Sequence, residues 1–348
     1  MLFTILILYY LTLGRGICCS FTDHVKYSKT HHVDLSNRHL TDIPQNIPID
    51  TESLDLSLND IQNIPNGIFA NLSNIRTLNL YSNAINVILV NSFKGLSKIE
   101  YLNLGTNQLK YKSLQNESFK HISSLQILII YGNPDDGTSS ISFSDELYRL
   151  RLLHTLHLDG IDYEPNKLNK FECFKNLKVL AFEYPTISVE NTTFKSLQNI
   201  PIEELGLISL RSVQTNAFSF FPKLQKLTLH LSWRALSLER IFPALEVFKG
   251  RRMTSISMTG NPDIYPLILG LPHLRYLWDI CLRELYLPSN FIVHIDPSSF
   301  SIFAKKSTCL EMFDMSDNPV QENRIYTWVM SFPLFKNLKV IRFSHFGF

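Results

Sequence analysis

The sequence predicts an α/β solenoid shaped as a horseshoe, with a parallel β-sheet on its concave face. The first observation is an internal repeat: LDLSLNDI, LNLYSNAI and LNLGTNQL begin at Leu54, Leu78 and Leu102, in steps of 24 residues. The second is the alternation L-x-L, which places two apolar side chains on one face of a short strand and the residue between them on the other. Since one copy cannot bury its apolar face alone, the copies must stack.

Looser copies keep the L-x-L core but vary in length. They begin at Leu128, Leu156, Leu180, Leu205, Leu227, Ile256, Leu285, Phe313 and Ile341, and an opening copy begins at Val33. The full motif, L-x-x-L-x-L-x-x-N-x-L with a period of roughly 20–29 residues, is that of the leucine-rich repeat. We therefore expect about a dozen repeats over residues 51–348, the last one incomplete.

Two more positions recur in each repeat. An asparagine follows the second leucine, where its amide can serve backbone groups left over as the strand turns away. It is present at Asn59, Asn83, Asn107, Asn133, Asn261, Asn290 and Asn318. A phenylalanine about fifteen residues further on is predicted to form a second apolar column towards the convex side. These residues are Phe69, Phe93, Phe242 and Phe300, with Phe119 and Phe194 nearby.

The middle of the chain departs from this pattern. From residue 161 to residue 232 the asparagine position holds Ile161, Pro185, Leu210 and Ser232 in turn. One interpretation is simple sequence drift, with water replacing the missing hydrogen bonds. The other is that an irregular section reshapes the inner surface to hold a ligand, because irregular segments on a rigid scaffold often carry binding.

The first residues and the overall composition indicate an exported protein. The apolar run Leu2–Leu13 is too short to span a bilayer and suits a secretory signal, with cleavage predicted after Gly16. Residues 17–50 are then the N-terminal cap and first repeat, and no later apolar run predicts a membrane anchor in this chain. A net charge of +2 gives no general case for nucleic acid or an anionic membrane as partner. We expect a secreted or extracellular protein, or the lumenal or extracellular part of a membrane receptor.

Three stretches resemble a known family. VDLSNRHLTDIPQNIP (33–48), LDLSLNDIQNIPNGIFANLSNIRTLNLYSN (54–83) and IPIEELGL (200–207) look like a Toll-like receptor ectodomain, and the resemblance covers about residues 20–348. It implies binding of a microbial or endogenous ligand of unknown class, and a receptor homodimer whose cytoplasmic Toll/interleukin-1 receptor domains meet. The sequence departs from the family at Leu35, where the cap commonly carries a cysteine, and it contains no signalling domain. The alternative is a secreted or matrix leucine-rich-repeat adhesion or decoy protein without signalling.

Candidate binding residues are the side chains that point out of the strands on the concave face. They are Tyr81, Tyr101, Tyr131, His157, Asp159, Glu183, Tyr184 and His230. Protonation of the two histidines near pH 6 could tune binding, although the pattern favours ordinary solvated surface histidines. A basic group, Lys249, Arg251 and Arg252, could meet an anionic ligand or form a solvated charge run. The sequence contains no arrangement typical of a catalytic or metal site, so we expect no enzyme, metal or cofactor.

Cysteines and sequons complete the expectations. Cys281 and Cys309 each lie four residues before the first core residue of successive repeats. Because stacked repeats are about 5 Å apart, a Cys281–Cys309 disulfide is predicted, the alternative being two small core residues. The sequons at Asn71, Asn116 and Asn191 fall near the convex phenylalanines and are expected to carry N-glycans.

Overall fold

A computed structural model describes residues 31–110, 117–133, 148–159, 171–183, 187–231, 238–260, 266–320 and 330–343. The strands in this part of the chain are β1 (His32–Asp34), β2 (Ser53–Asp55), β3 (Asn63–Ile64), β4 (Thr77–Asn79), β5 (Val87–Ile88), β6 (Tyr101–Asn103), β7 (Ile127–Ile129), β8 (Thr155–Asp159), β9 (Val179–Glu183), β10 (Ile187–Val189), β11 (Glu204–Val213), β12 (Lys226–Leu231), β13 (Arg252–Thr259), β14 (Leu267–Leu269), β15 (Cys281–Tyr286), β16 (Ile292–Ile295), β17 (Met312–Asp314) and β18 (Val340–Arg342). The α-helices are α1 (Leu271–Leu274) and α2 (Pro297–Lys306). Short 3-10 helices span Glu117–Phe119, Lys195–Leu197, Leu238–Arg240, Phe242–Phe248 and Phe332–Leu334.

One parallel sheet of 14 strands forms the concave face of the solenoid. Its order is β1-β2-β4-β6-β7-β8-β9-β11-β12-β13-β15-β17-β18, with β10 paired to β11. The pairs β3-β5 and β14-β16 form two separate small sheets. The horseshoe architecture expected from the repeat is therefore confirmed.

The predicted repeats stack in register. The first apolar residue of each copy pairs with the same residue of the next, from Val33–Leu54 at one end to Phe313–Ile341 at the other. Between these ends the same residues are almost completely buried; Leu54 and Leu285, for example, are 0% exposed. Each large apolar side chain buried in this way contributes roughly 1.5–3 kcal/mol.

The phenylalanines form the second apolar column, as the sequence predicts. Phe69, Phe93, Phe242 and Phe300 are all 0% exposed. Neighbouring rings touch: the centroids of Phe93 and Phe119 are 6.2 Å apart. The column fills the space between the sheet and the convex segments, so the repeats share one core.

The asparagine column forms a hydrogen-bonded ladder. Asn83 shows the pattern: its Oδ1 accepts the N–H of Ile61 at 3.0 Å, and its Nδ2 donates to the carbonyls of Leu56 at 3.0 Å and Leu80 at 3.1 Å. Each amide thus serves its own repeat and the one before it. The same arrangement occurs at Asn59, Asn107, Asn133 and Asn318. Asn290 forms only half of it: its Nδ2 donates to the carbonyl of Met258 at 2.7 Å, whereas its buried Oδ1 has no partner among the described residues. Asn261 lies outside the described residues.

The strands β8, β9, β11 and β12 are longer than those of the first repeats, as are β13 and β15, whose repeats keep the asparagine. The strands β1, β2, β4, β6 and β7 each have 3 residues, whereas β8 and β9 have 5, β12 has 6 and β11 has 10. Leu210 holds the asparagine position in β11, is 0% exposed, and pairs with Leu231 on one side and Ile187 on the other. At this position the strand continues and its backbone groups bond to the neighbouring strands, so they do not need a side-chain amide as partner. The other three substituted positions lie outside the described residues.

A disulfide and a buried histidine fasten the later repeats. Cys281, at the start of β15, is joined to Cys309 after α2, with a Cα–Cα distance of 5.2 Å. Nδ1 of His273 accepts the N–H of Gly270 at 3.2 Å, and the ring packs on Phe242 with centroids 5.5 Å apart. Burial lowers the pKa of His273, although a carboxylate 3.6 Å away acts in the opposite direction.

Most of the N-terminal residues about which the sequence makes predictions come before the described part of the chain, which begins at residue 31. The predicted signal peptide, residues 1–16, lies outside it, as do residues 17–30 of the predicted cap and first repeat. Among the described residues no helix has the length and apolar character needed to cross a bilayer.

Candidate ligand-binding face

The outward side chains of the sheet form columns across the concave face. The central column runs, in pairing order, through Asp34, Asp55, Asn79, Asn103, Ile129, His157, Ala181, Gly206, Thr228, Ser257, Tyr286, Asp314 and Arg342. Its chemistry changes along the sheet: acidic and amide residues come first, Ile129 and His157 follow, four small residues come next, and an aromatic and an ion pair come last.

Hydrogen bonds fix the first four side chains of this column. Asp34 Oδ1 accepts the N–H and the hydroxyl of the serine two residues on, at 2.9 and 2.7 Å, and these bonds hold its pKa below the ordinary value. Asp55 accepts the same pair of bonds at 2.8 and 2.6 Å. Asn79 and Asn103 each accept the N–H two residues on, at 3.1 and 2.9 Å. These local bonds leave the four side chains in one orientation.

The three predicted tyrosines lie beside these residues. Tyr81, Tyr101 and Tyr131 are all half-buried and belong to three successive repeats. Asn103 donates to the hydroxyl of Tyr101 at 3.3 Å. Gly105 lies between the other two tyrosines: a Cβ added there would be 3.4 Å from both the Tyr81 ring and the Tyr131 carbonyl oxygen. We call Asn79, Tyr81, Tyr101, Asn103 and Tyr131 the tyrosine face.

The expectation of open side chains is wrong for His157 and Asp159. They point out of the sheet but are only 7% and 6% exposed. Asp159 accepts the N–H of Gly132 at 2.6 Å and that of Asn133 at 3.2 Å, and His157 Nδ1 lies 3.4 Å from Glu183 Oε1. Their contacts join neighbouring repeats. Asp159 belongs to a repeat whose asparagine position holds isoleucine, so its carboxylate takes over the role of accepting backbone N–H groups from the preceding repeat.

Two other predicted residues have different outcomes. His230 is the residue before the last in β12, pairs with Thr259 of β13, and is half-buried. Burial lowers its pKa, so it gains a proton at a lower pH than an exposed histidine does. Tyr184 lies outside the described residues.

The predicted basic group is not one cationic surface. One Arg251 nitrogen is 3.0 Å from each of the carbonyls of Phe221, Pro222 and Leu224, and its guanidinium lies 5.0 Å from the centroid of the Phe248 ring. That arrangement anchors the turn between two repeats, so the prediction of a ligand-facing Arg251 is wrong. The other two members separate: Lys249 pairs with Asp279 at 3.3 Å, and Arg252 is exposed at the first position of β13.

The far end of the central column is a group that the sequence analysis did not single out. The Tyr286 hydroxyl donates to Glu284 at 3.0 Å, and mainly its burial raises its pKa to about 12. Asp314 lies 3.7 Å from Arg342 and is itself 7% exposed. The sequence does contain a signal for these residues. Tyr286, Asp314 and Arg342 each follow the first core residue of a repeat, which is Leu, Phe or Ile, and therefore occupy the outward position.

Paired charges line the N-terminal ends of the strands. The cross-repeat pairs are Arg76–Glu100, Lys178–Glu203, Lys226–Glu204, Arg283–Glu311 and Lys339–Glu311. Exposed pairs of this kind contribute little to stability. This border therefore presents both signs of charge.

The sequons that the structure describes are on the convex side. Asn71 and Asn191 are both exposed, and Asn191 Oδ1 accepts the N–H of Asn216 at 3.1 Å. Asn116 lies outside the described residues. In the described ranges no three His, Cys, Asp or Glu side chains come together as a metal site would require.

Comparison with known proteins identifies the repeats. A leucine rich repeat family model matches residues 50–109, and a BspA type leucine rich repeat region model matches residues 167–243. An internalin from Listeria monocytogenes has a similar fold, with a TM-score of 0.50, 14% sequence identity, and coverage of 89% of this chain and 86% of that one. The internalin supports the fold alone.

Toll-like receptors and keratocan are both among the relatives. Toll-like receptor 7 of Mus musculus is 27% identical over 213 residues, 57% of this chain and 20% of the receptor. Toll-like receptor 3 of Bos taurus is 28% identical over 274 residues, 72% of this chain and 30% of the receptor. Keratocan of Coturnix japonica is 32% identical over 254 residues, 72% of this chain and 59% of keratocan. The chain thus matches less than a third of the length of these Toll-like receptors.

Proposed function

Since the chain is built of leucine-rich repeats, we propose that it is the extracellular ligand-binding part of a Toll-like receptor type of pattern-recognition receptor. Its ligand is a microbial or endogenous molecule, and signalling follows dimerisation of the complete receptor. The likeness to two Toll-like receptors over 57% and 72% of the chain supports this assignment.

The observation that carries the proposal is the tyrosine face. Its aromatic side chains occupy three successive repeats, and its two amides are fixed by hydrogen bonds to their own backbone. Tyrosine supplies a large contact area with few rotatable bonds. Polar groups that are already oriented lose little conformational entropy on binding. By contrast, the next strand, β8, has all 5 of its residues buried, so it offers little open surface.

The direct test is binding by the full chain, secreted from animal cells and immobilised. The probes are a lipopeptide, double-stranded RNA, peptidoglycan fragments and a bacterial surface protein. We expect one class to bind, and the variants Tyr101→Ala and Tyr131→Ala to weaken it about tenfold or more, as central aromatic contacts do. Leu89→Ala, an exposed residue away from the sheet, is the control and should bind like the wild type. Equal binding by all variants would refute the tyrosine face as the site.

A second candidate is an adhesion or decoy protein of the extracellular matrix, without signalling. The 32% identity to keratocan over 72% of the chain favours it. The transcript discriminates the two. An in-frame membrane helix followed by a Toll/interleukin-1 receptor domain supports the receptor, whereas a stop after a cysteine-rich cap supports the matrix protein.

We also propose that the three sequons carry N-glycans. The exposure of Asn71 and Asn191 on the convex side supports this, because sugar there leaves the concave face open. Treatment of the secreted protein with peptide N-glycosidase should convert each occupied asparagine to aspartate, which mass spectrometry detects. Unmodified asparagine at all three positions would exclude the glycans.

A further inference from the structure

A cleft of about 330 Å³ lies away from the concave columns. It is lined by Glu246, Lys249, Arg275, Tyr276, Trp278 and Asp279. These residues come from the 3-10 helix Phe242–Phe248, the residue after it, and the segment that follows α1. None of them belongs to a strand of the main sheet, so the cleft is separate from the tyrosine face.

Cations hold the two aromatic rings of the cleft in place. The Arg275 guanidinium lies 4.7 Å from the centroid of the Tyr276 ring, and the same side chain donates to the Tyr276 hydroxyl at 2.6 Å. The Lys306 ammonium lies 5.1 Å from the centroid of the Trp278 ring, which also packs against the core. Attraction between a cation and the negative face of a ring fixes both rings before any ligand arrives.

The four charges that line the cleft balance, and Lys306 on the Trp278 ring adds one positive charge beside them. Glu246 and Asp279 are carboxylates, Lys249 and Arg275 are cations, and Lys249 is 3.3 Å from Asp279. Because the lining itself pairs its cations with carboxylates, it does not present a surface of one sign to a ligand. It does provide hydrogen-bond donors and acceptors side by side, at the edge of two aromatic rings.

A ligand that matches these features is neutral, carries several hydroxyl groups that both donate and accept, and has C–H groups that can pack on aromatic carbon. A pyranose ring has all three properties. The volume is at the lower end for small-molecule sites, which suits one or two sugar units. We propose that this cleft binds a neutral saccharide.

The test uses the full secreted chain after enzymatic removal of its own N-glycans, so that they do not compete. Free glucose, galactose, mannose and N-acetylglucosamine are the probes, and saturation-transfer difference NMR detects binding. We expect at least one sugar to receive magnetisation from the protein. Glu246→Gln and Tyr276→Phe, which keep the shape and remove a charge or a hydroxyl, should each weaken its affinity about tenfold.

The control is Tyr101→Phe, the same change on the tyrosine face, which should leave sugar binding unchanged. Circular dichroism and the urea midpoint establish that each variant is folded. Absence of transfer to all four sugars, or transfer that neither cleft variant reduces, would overturn the proposal. Preferential binding of the anionic sugar N-acetylneuraminic acid would also contradict it, because the proposed ligand is neutral. Neither result bears on the tyrosine face, which has its own ligand panel.

Discussion

The asparagine ladder makes a quantitative prediction at Asn107, which is 5% exposed. Its Oδ1 accepts the N–H of Ile85 at 3.0 Å, and its Nδ2 donates to the carbonyls of Leu80 at 2.9 Å and Leu104 at 3.1 Å. Asn107→Ala leaves the buried Ile85 N–H without its acceptor. One unsatisfied buried donor costs about 1–3 kcal/mol, and the freed carbonyls add to it. We expect the free energy of unfolding to fall by about 2–4 kcal/mol.

Urea denaturation of the full chain, followed by circular dichroism, measures the loss, and hydrogen exchange locates it. Protection of the Ile85 amide should fall more than that of amides in distant repeats. The matched control is Asn103→Ala, an outward asparagine that is half-buried, which should cost less than about 1 kcal/mol. If both variants lose equal stability, or if Ile85 stays as protected as in the wild type, the ladder does not hold the repeats together in the way described.

Three more predictions concern the later repeats. Cys309→Ser opens the bridge to Cys281, which spans 28 residues, and should lower the free energy of unfolding by about 3–4 kcal/mol; an unchanged urea midpoint, with and without reductant, would contradict the bridge. Asp159→Ala should lower the free energy of unfolding by about 1–3 kcal/mol, because it leaves the N–H groups of Gly132 and Asn133 without their acceptor. Asp159→Asn should recover part of this loss through its carbonyl oxygen, and equal losses for the two variants would argue against the acceptor role. Burial lowers the pKa of His273 in the folded protein, so its contribution to the free energy of unfolding is present above the unfolded pKa of about 6.5 and is lost as the pH falls below that value. Urea midpoints of the wild type and of His273→Gln, compared between pH 7.5 and 5, measure this contribution. Parallel curves for the two proteins would refute it.

The sequence predicts the architecture of this protein because the repeat shows which residues are neighbours in space. Residues that occupy the same position in successive copies pair in the sheet, so Val33 and Ile341 could be placed in one column from their motifs alone. The same argument placed Cys281 opposite Cys309. The loss of the asparagine from the middle repeats was also visible in the sequence. The length of β11 was not, because it depends on which backbone partners the chain finds, here Ile187 and Leu231 opposite Leu210.

Accessibility on the concave face could not be predicted in this way. The motif states that His157 and Asp159 point out of the sheet, and they do, but whether they remain open depends on the side chains and backbone of adjoining repeats. Arg251 reads as one of three surface cations, yet its carbonyl partners lie 27 to 30 residues away in sequence. The two partners of such a contact are not separated by a fixed number of residues, since the segments between strands vary in length, so the motif does not predict the contact.

The sequence by itself therefore determined the solenoid, the inward columns, the ladder and the disulfide pair, because all of them follow from one period and from apolar burial repeated at each step. The tertiary structure alone decided which outward side chains remain available to a ligand. It also decided that two rings and four charges from separate segments meet in a cleft. The physical reason is that burial of the core depends on what the copies share, whereas the binding surface depends on how each copy differs from its neighbours.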